Sequence, residues 1–481
     1  MLDPVLQSIF NQDNRLAVID HDQSFSFFSL QMSSRMLAKR LNHLILRHGE
    51  RIAVLLPNSM HAVVALLAVA QTGYSYLPLS VGLKPAELQG IFRKCGIRVV
   101  ICCASTRALV PETVQVVELD NALDDAKDDP PECLQKLDPE RECVCLSTSG
   151  SSGDPRIVAR KAAAIYANLR QVAAGLQVTA EDRFLSVVPF WHANGFSNCL
   201  LLPLYCGASI VTMDRFLPRP MLDLILNKKP TIVIGSPFVF RALAQVIEPH
   251  CRLDHVRAWI SSGAALPVEL DKKLRSLNIR VRQLYGSSET GTISISSGDQ
   301  VHAGIVGKPL QGVRVRLVDD NDHEVAQGHA GKIQVSSPAL FSGYVGELGD
   351  EILMTEDGFY CMEDLGTQDI EGNLALTGRS DAMINVSGVK VDPVEIQQVL
   401  MSMPGIRQAQ AFGAQDANGL EMIKVLLVAD GKISTEDVLH YCRNRLAEYK
   451  LPRSIEMVKN IPQDLMGKSP RKLLENEYGI S

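Results

Sequence analysis

The sequence predicts a mixed α/β and α+β chain. It comprises a large N-terminal domain of βαβ-type sheets, a small β-barrel-like subdomain, and a small α+β C-terminal domain. Three observations lead there. Up to about Gly291, short β-branched runs alternate with segments of helical period, the pattern of parallel strands joined by crossover helices. From about Gly291 the apolar runs shorten and alternate with polar residues between Gly, Asp and Asn, as in a small antiparallel sheet or barrel. Beyond Gly378-Arg379-Ser380-Asp381 the remaining residues read as one compact α+β piece.

The elements follow in order. Arg51–Leu56, Tyr76–Leu79 and Ile97–Cys102 read as strands, with helices over Asn58–Gln71 and Lys84–Lys94. Asn121–Arg141 is acidic, holds Pro130-Pro131 and reads as an exposed connector. Cys143–Leu146 is a strand and Ala162–Val172 a helix, with a run of hydroxyls, glycine and one arginine between them. Phe184–Val188, Ser209–Thr212, Thr231–Ile234, Val256–Ile260 and Arg280–Leu284 continue the strand series. Val313–Val318, Gly331–Ser336, Gly358–Cys361 and Asn373–Thr377 are the short alternating runs. The C-terminal piece has strands near Ile384 and Val389, then at Ala409–Phe412 and Ile423–Val428, with helices over Pro393–Met401 and Thr435–Ala447.

Composition narrows the function class. The 481 residues are 46% hydrophobic and 21% charged, a globular balance with chain enough for a large core. A net charge of -6 gives no electrostatic case for nucleic acid. The longest apolar stretch, Ala62–Ala70, is too short to span a bilayer, and no secretory signal is visible. The 11 cysteines include no C-x-x-C pair, which argues for free thiols and a cytoplasmic setting.

The chemistry-bearing residues sit at strand ends. Ser147-Thr148-Ser149-Gly150-Ser151-Ser152-Gly153-Asp154-Pro155-Arg156 offers small residues for close backbone approach to a polyanion, hydroxyl donors, and a guanidinium fork. It is a phosphate-loop candidate, although an isolated Ser/Gly run is otherwise a linker, and it is not a Walker A sequence. Glu289 would supply a hard oxygen to Mg²⁺ bridging phosphates, against the default of a solvated loop acid. Tyr285-Gly286 would stack on a base or simply end a buried strand. Gly263 and Ala264, in Ser261-Ser262-Gly263-Ala264-Ala265, would wall a planar-ring pocket or serve tight strand-to-helix packing. His192, in an aromatic turn, would line a carboxylate pocket or be a structural histidine. Asp364 and Arg379 would meet ribose hydroxyls and phosphate; each alone is an ordinary turn residue. Lys468, after Gly467 in a polar tail, would bring an ammonium to developing charge, where a charged tail is usually only solvated. No His/Cys metal cluster, G-x-S-x-G or G-x-G-x-x-G occurs, so Ser/His/Asp hydrolysis and nicotinamide redox chemistry have no support.

Taken in order, these motifs resemble those of the adenylate-forming superfamily: acyl- and aryl-CoA synthetases, nonribosomal adenylation domains and luciferases. Ser147–Arg156 looks like its phosphate loop and Tyr285-Gly286-Ser287-Ser288-Glu289 like its Y-G-x-T-E motif, with Ser288 for threonine. Thr355–Tyr360 with Asp364 looks like the stretch ending in the ribose aspartate. Gly378–Asp381 looks like the hinge, and Gly467-Lys468 like the catalytic-lysine motif. The resemblance implies an adenylation domain over 1–380, binding acid and ATP, and a mobile domain over 381–481 carrying Lys468. It implies ATP and Mg²⁺ as cofactors. It implies CoA or the phosphopantetheine of an acyl carrier protein as the acceptor thiol. Trp191-His192, with no acid beside it, resembles the aromatic-His pair of acyl- and aryl-acid ligases, which favours an aryl or fatty acid over an α-amino acid. Three further departures stand out: Arg156 for lysine, Met362-Glu363-Asp364 for T-G-D, and Asn385 where thioester-forming relatives commonly carry lysine. The last two motivate the alternative of a non-catalytic or adenylation-only nucleotide-binding relative.

Overall fold

The computed structural model describes residues 3–10, 14–44, 49–119, 138–147, 156–248, 251–299, 304–346, 354–379, 384–386, 389–415, 421–431, 433–446, 448–463 and 471–478. The chain forms two compact units. One gathers 1–149, 155–314 and 335–360; the other gathers 150–154, 315–334 and 361–481.

The first unit holds two sheets. In one, Val281–Ser287, Ala258–Ser262, Ile232–Gly235, Arg183–Ser186, Ser209–Thr212 and Leu16–Asp20 run parallel in that order. These strands are buried on both faces and so read as unbroken apolar runs. Gly291–Ile295 and Ile305–Pro309 extend it antiparallel at one side, and Gln23–Ser26 at the other. Beneath it pack Leu185, Val233, Phe240 and Trp259. In the second sheet, Ser75–Pro78, Arg51–Leu55, Val99–Cys102 and Gln115–Glu118 are parallel. Helix Met60–Thr72 is buried almost all round, starts at the Ser59 cap and stops at Gly73, whose φ of 79° suits glycine.

Beyond Ser75–Pro78 the second sheet continues through Glu142–Ser147, Ile157–Lys161 and Gly343–Tyr344. The segment Ile157–Lys161 corrects the expected strand-loop-helix order. The run from Ser147 to Arg156 connects two antiparallel strands, with Ser147 paired to Ile157, before helix Ala162–Leu176 begins. Apolar Ile157-Val158-Ala159 alternates too briefly to stand out in sequence, but it is wholly buried between its two neighbours.

In the 314–379 stretch the strands Arg314–Val318, Gly331–Ser336, Tyr360–Gln368 and Leu374–Arg379 hydrogen-bond in that linear order. Among the described residues no closed barrel forms: the strands share edges in an open series. The barrel expectation gives way to the sheet one. Further on, Ile406–Gln415 pairs antiparallel with Glu421–Ala429, which runs parallel to Ser454–Met457. Helices Pro393–Met401 and Thr435–Arg443 cover this sheet through Ile396, Leu400 and Val438. Among the described residues no helix is long and apolar enough to cross a membrane.

Candidate active site

The turn after strand Val281–Ser287 is built by its own hydroxyls. Ser287 Oγ accepts the N–H groups of Glu289 and Thr290 at 3.2 Å each, while the Ser287 N–H donates to Thr290 Oγ1 at 3.1 Å. This fixes the backbone under Glu289. The Glu289 carbonyl accepts the Phe341 N–H at 2.7 Å, and Tyr344 donates its hydroxyl to Glu289 Oε1 at 3.2 Å. Tyr344 and Tyr360 flank Phe341 edge-on, with ring centroids 5.0 and 5.2 Å from it. Burial pushes the Tyr344 hydroxyl up from the ordinary tyrosine range, and the Glu289 charge adds to the effect, so this hydroxyl stays a donor.

The Arg156 guanidinium lies 5.2 Å from the centre of the Tyr344 ring. One end of the candidate phosphate loop therefore meets Glu289 through a shared aromatic. Backbone bonds reinforce this: Ser342 N–H to Ala159 O and Val345 N–H to Ile157 O, both 2.8 Å. Beneath them Arg160 is 1% exposed. It donates to the carbonyls of Ser288, at 3.5 Å, and Ala339. Burial lowers its guanidinium to about 10, opposed by the nearby Cys143 and Glu289, so it stays charged at neutral pH.

Gly286 admits no side chain, because a Cβ would lie 2.1 Å from the Gly291 carbonyl oxygen. The close approach it permits is that of its own hairpin partner. Tyr285 is buried in the same strand, and Gly263 has open space where a Cβ would stand.

His192 occupies a turn held from a distant helix start. Asn58 accepts the Phe190 N–H at 2.7 Å and donates to Val188 O at 2.9 Å. His192 Nδ1 accepts the Asn194 N–H at 3.3 Å, which leaves Nε2 to carry the proton of the neutral ring. Asn194 reaches Ser262 Oγ at 2.6 Å, beside Gly263, and accepts from Asn198, whose amide also reaches Thr292 Oγ1 at 3.3 Å. A polar ladder thus joins the His192 turn, the Ser262–Gly263 strand end and the hairpin that carries Glu289. Gly195–Leu201, which carries Asn198, is a π-helical segment.

Asp364 and Arg379 belong to the other unit. They are register partners on adjacent antiparallel strands, with Arg379 Nη1 3.4 Å from Asp364 Oδ1. Thr148, Ser149, Gly150, Ser151, Ser152, Gly153, Asp381 and Lys468 lie outside the described residues, and Ser147 and Arg156 bound the described ends of the loop. Sequence reasoning missed Asn58, Arg160, Asn194 and Tyr344. The first two reach from the second sheet to turns that follow strands of the first, and only Tyr344, close to the aromatic Phe341, carried any local signal.

This constellation can be compared with known proteins. The family model described as AMP-binding enzyme matches residues 7–345. The chain belongs to the AMP-binding enzyme family. A second model, the AMP-binding enzyme C-terminal domain, matches residues 395–468 of this AMP-binding enzyme. Feruloyl-CoA synthase from Amycolatopsis is 27% identical over 95% of the chain and 94% of that protein. The 2-succinylbenzoate–CoA ligase of Bacillus licheniformis is 25% identical, covering 96% of each. The crystal structure of ATP-bound MatB from Rhodopseudomonas palustris superposes with a TM-score of 0.92 at 25% identity, covering 99% of each chain.

Proposed function

We propose that the chain is an AMP-forming acid–thiol ligase that activates an aryl or fatty acid and passes it to CoA or to carrier-protein phosphopantetheine. The observation that carries this reading is the meeting of Arg156, Tyr344 and Glu289, a cation and an anion held on separate segments by one aromatic side chain. Similarity to feruloyl- and 2-succinylbenzoate–CoA ligases supports an acid substrate and CoA as acceptor.

A substrate carboxylate oxygen attacks the α-phosphorus of ATP, and the bond to the bridging oxygen breaks to release pyrophosphate. The sulfur of the thiol then attacks the acyl carbon, forming the thioester and releasing AMP. Arg156 and the loop from Ser147 hold the β- and γ-phosphates. Gly263, Ala264, Tyr285, Gly286 and Ser288 border the nucleotide, and Asp364 and Arg379 bind ribose and phosphate. His192 lines the acid's entry, its turn held by Asn58 and Asn194. Lys468 neutralises charge at the α-phosphate in the first step. In this reading 1–380 form the adenylation domain and 381–481 a mobile domain that withdraws Lys468 before the thiol enters.

Mg²⁺ fits the donor set. Among the described residues there is no cluster of three or more His, Cys, Asp or Glu side chains, whereas an ion that arrives on a triphosphate needs one or two carboxylates. Glu289 would hold it, and it would supply neutralisation of the phosphoryl oxygens.

Pyrophosphate exchange across a panel of aryl and aliphatic acids tests the first step, and thioester assays with CoA and carrier protein test the second. Exchange with at least one acid is expected. Nucleotide binding with no exchange on any acid would replace this reading with the non-catalytic one.

A further inference from the structure

Arg160 heads the fully buried side chains by size. A buried guanidinium is costly unless carboxylates or several acceptors surround it. Among the described residues no carboxylate lies within ion-pairing distance of it, and its Nε has no hydrogen-bond partner. Nη1 donates to Ser288 O and Nη2 to Ala339 O. Ser288 precedes Glu289; Ala339 opens the stretch Ala339–Tyr344, whose Phe341 N–H and Tyr344 hydroxyl both bind Glu289. Arg156 immediately precedes the strand Ile157–Lys161 that carries Arg160. An apolar side chain would fill this space at lower cost, so filling space does not account for an arginine there.

We infer that Arg160 is a positioning residue for the nucleotide. By gripping both carbonyls from below, it fixes the spacing between Glu289, Tyr344 and Arg156 that receives the metal-bound triphosphate. The inference rests on the role proposed for Glu289. Loss of the grip lets the Ser288–Glu289 turn and the Ala339–Tyr344 stretch shift independently, which weakens the nucleotide site and leaves the acid site as it was.

The test uses the full chain as Arg160→Met, Arg160→Lys and, for reference, Glu289→Gln. ATP binding is measured by calorimetry with and without Mg²⁺ in the absence of acid. The KM values for ATP and acid come from pyrophosphate exchange, and thermal melts accompany both. Arg160→Met is expected to weaken ATP binding in Mg²⁺ by about tenfold, as for other side chains that orient a ligating group, with the acid KM unchanged. Arg160→Lys, with one mobile ammonium for a fork, should fall between. Parental ATP binding by Arg160→Met, or equal losses for ATP and acid, would overturn the inference. Should the Met variant not fold, the Lys variant decides by the same criterion. If Glu289→Gln leaves the Mg²⁺ dependence of ATP binding intact, the underlying reading of Glu289 fails. If it abolishes that dependence while the Arg160 variants bind normally, only the inference about Arg160 fails.

Discussion

In the role proposed for Arg156 a lysine could also reach phosphate as a point charge, but only a planar guanidinium both stacks on Tyr344 and can fork toward two oxygens. Arg156→Lys should therefore retain activity with a modest rise in ATP KM. Arg156→Ala should raise the ATP KM about tenfold, the worth of one charge-assisted hydrogen bond, with the acid KM unmoved. Exchange kinetics in both substrates check this. A second residue prediction concerns Asp182, whose side chain is 5% exposed. Burial disfavours its charge, yet Arg257, the Thr179 N–H and the Thr231 hydroxyl outweigh burial and hold its carboxyl below the ordinary range. A depressed carboxyl stabilises the fold fully above its unfolded value of about 3.9, and that stability is lost as pH falls through the folded value. Asp182→Asn should cost about 3 kcal/mol at neutral pH, and its deficit against the parent should shrink below about pH 4. Denaturant titrations at both pH values measure it. At this scale the sequence told Glu289 and Arg156 apart from ordinary loop residues only through the motifs that hold them and the order of those motifs along the chain. Asn58 and Arg160 gave no such signal, because each acts on a backbone segment more than a hundred positions away in the chain.

The π-helical segment Gly195–Leu201 begins where the His192 turn ends. A Cβ on Gly195 would sit 1.9 Å from the Pro189 carbonyl oxygen, a backbone atom that cannot swing aside. Gly195→Ala should thus displace the turn, lower stability by about 3 kcal/mol and abolish exchange activity; melting curves and exchange assays read both. The regular elements were largely legible, since parallel strands buried on both faces leave continuous apolar runs such as Ile232–Gly235. The illegible ones were short and held by partners remote in sequence. Ile157–Lys161 hides beside a glycine-rich loop, and Leu16–Asp20 owes its place to Ser209–Thr212, a neighbour remote in sequence. The end of helix Ala162–Leu176 shows how such long-range help works. Arg257 donates to the carbonyls of Leu176 and Gln177, and Arg282 to that of Gly175, so two distant arginines satisfy a helix terminus.

Over the whole molecule, the two compact units carry separate apolar cores, one around Leu185 and Trp259 and the other around Ile396 and Val425. Lys468→Ala should accordingly leave ATP binding and melting temperature unchanged while lowering pyrophosphate exchange at least about a hundredfold, the scale of one lost transition-state donor. Thioester formation from preformed acyl-adenylate should persist in that variant. Parallel assays of both half-reactions separate these effects. The order of motifs along the chain was what sequence could supply here. Which strands share an edge, and hence that among the described residues the short runs of 314–379 open into a sheet and do not close on themselves, depends on pairing that no local pattern encodes.

The pairing of Ser147 with Ile157 has one more consequence. Both flanks of the candidate phosphate loop are held in one antiparallel hairpin, so the sheet gives the loop two fixed ends. If the loop holds phosphates as proposed, sequences of other lengths and charges spliced between those two positions should change preference among nucleoside triphosphates while the sheet, as a fixed frame, keeps the melting temperature.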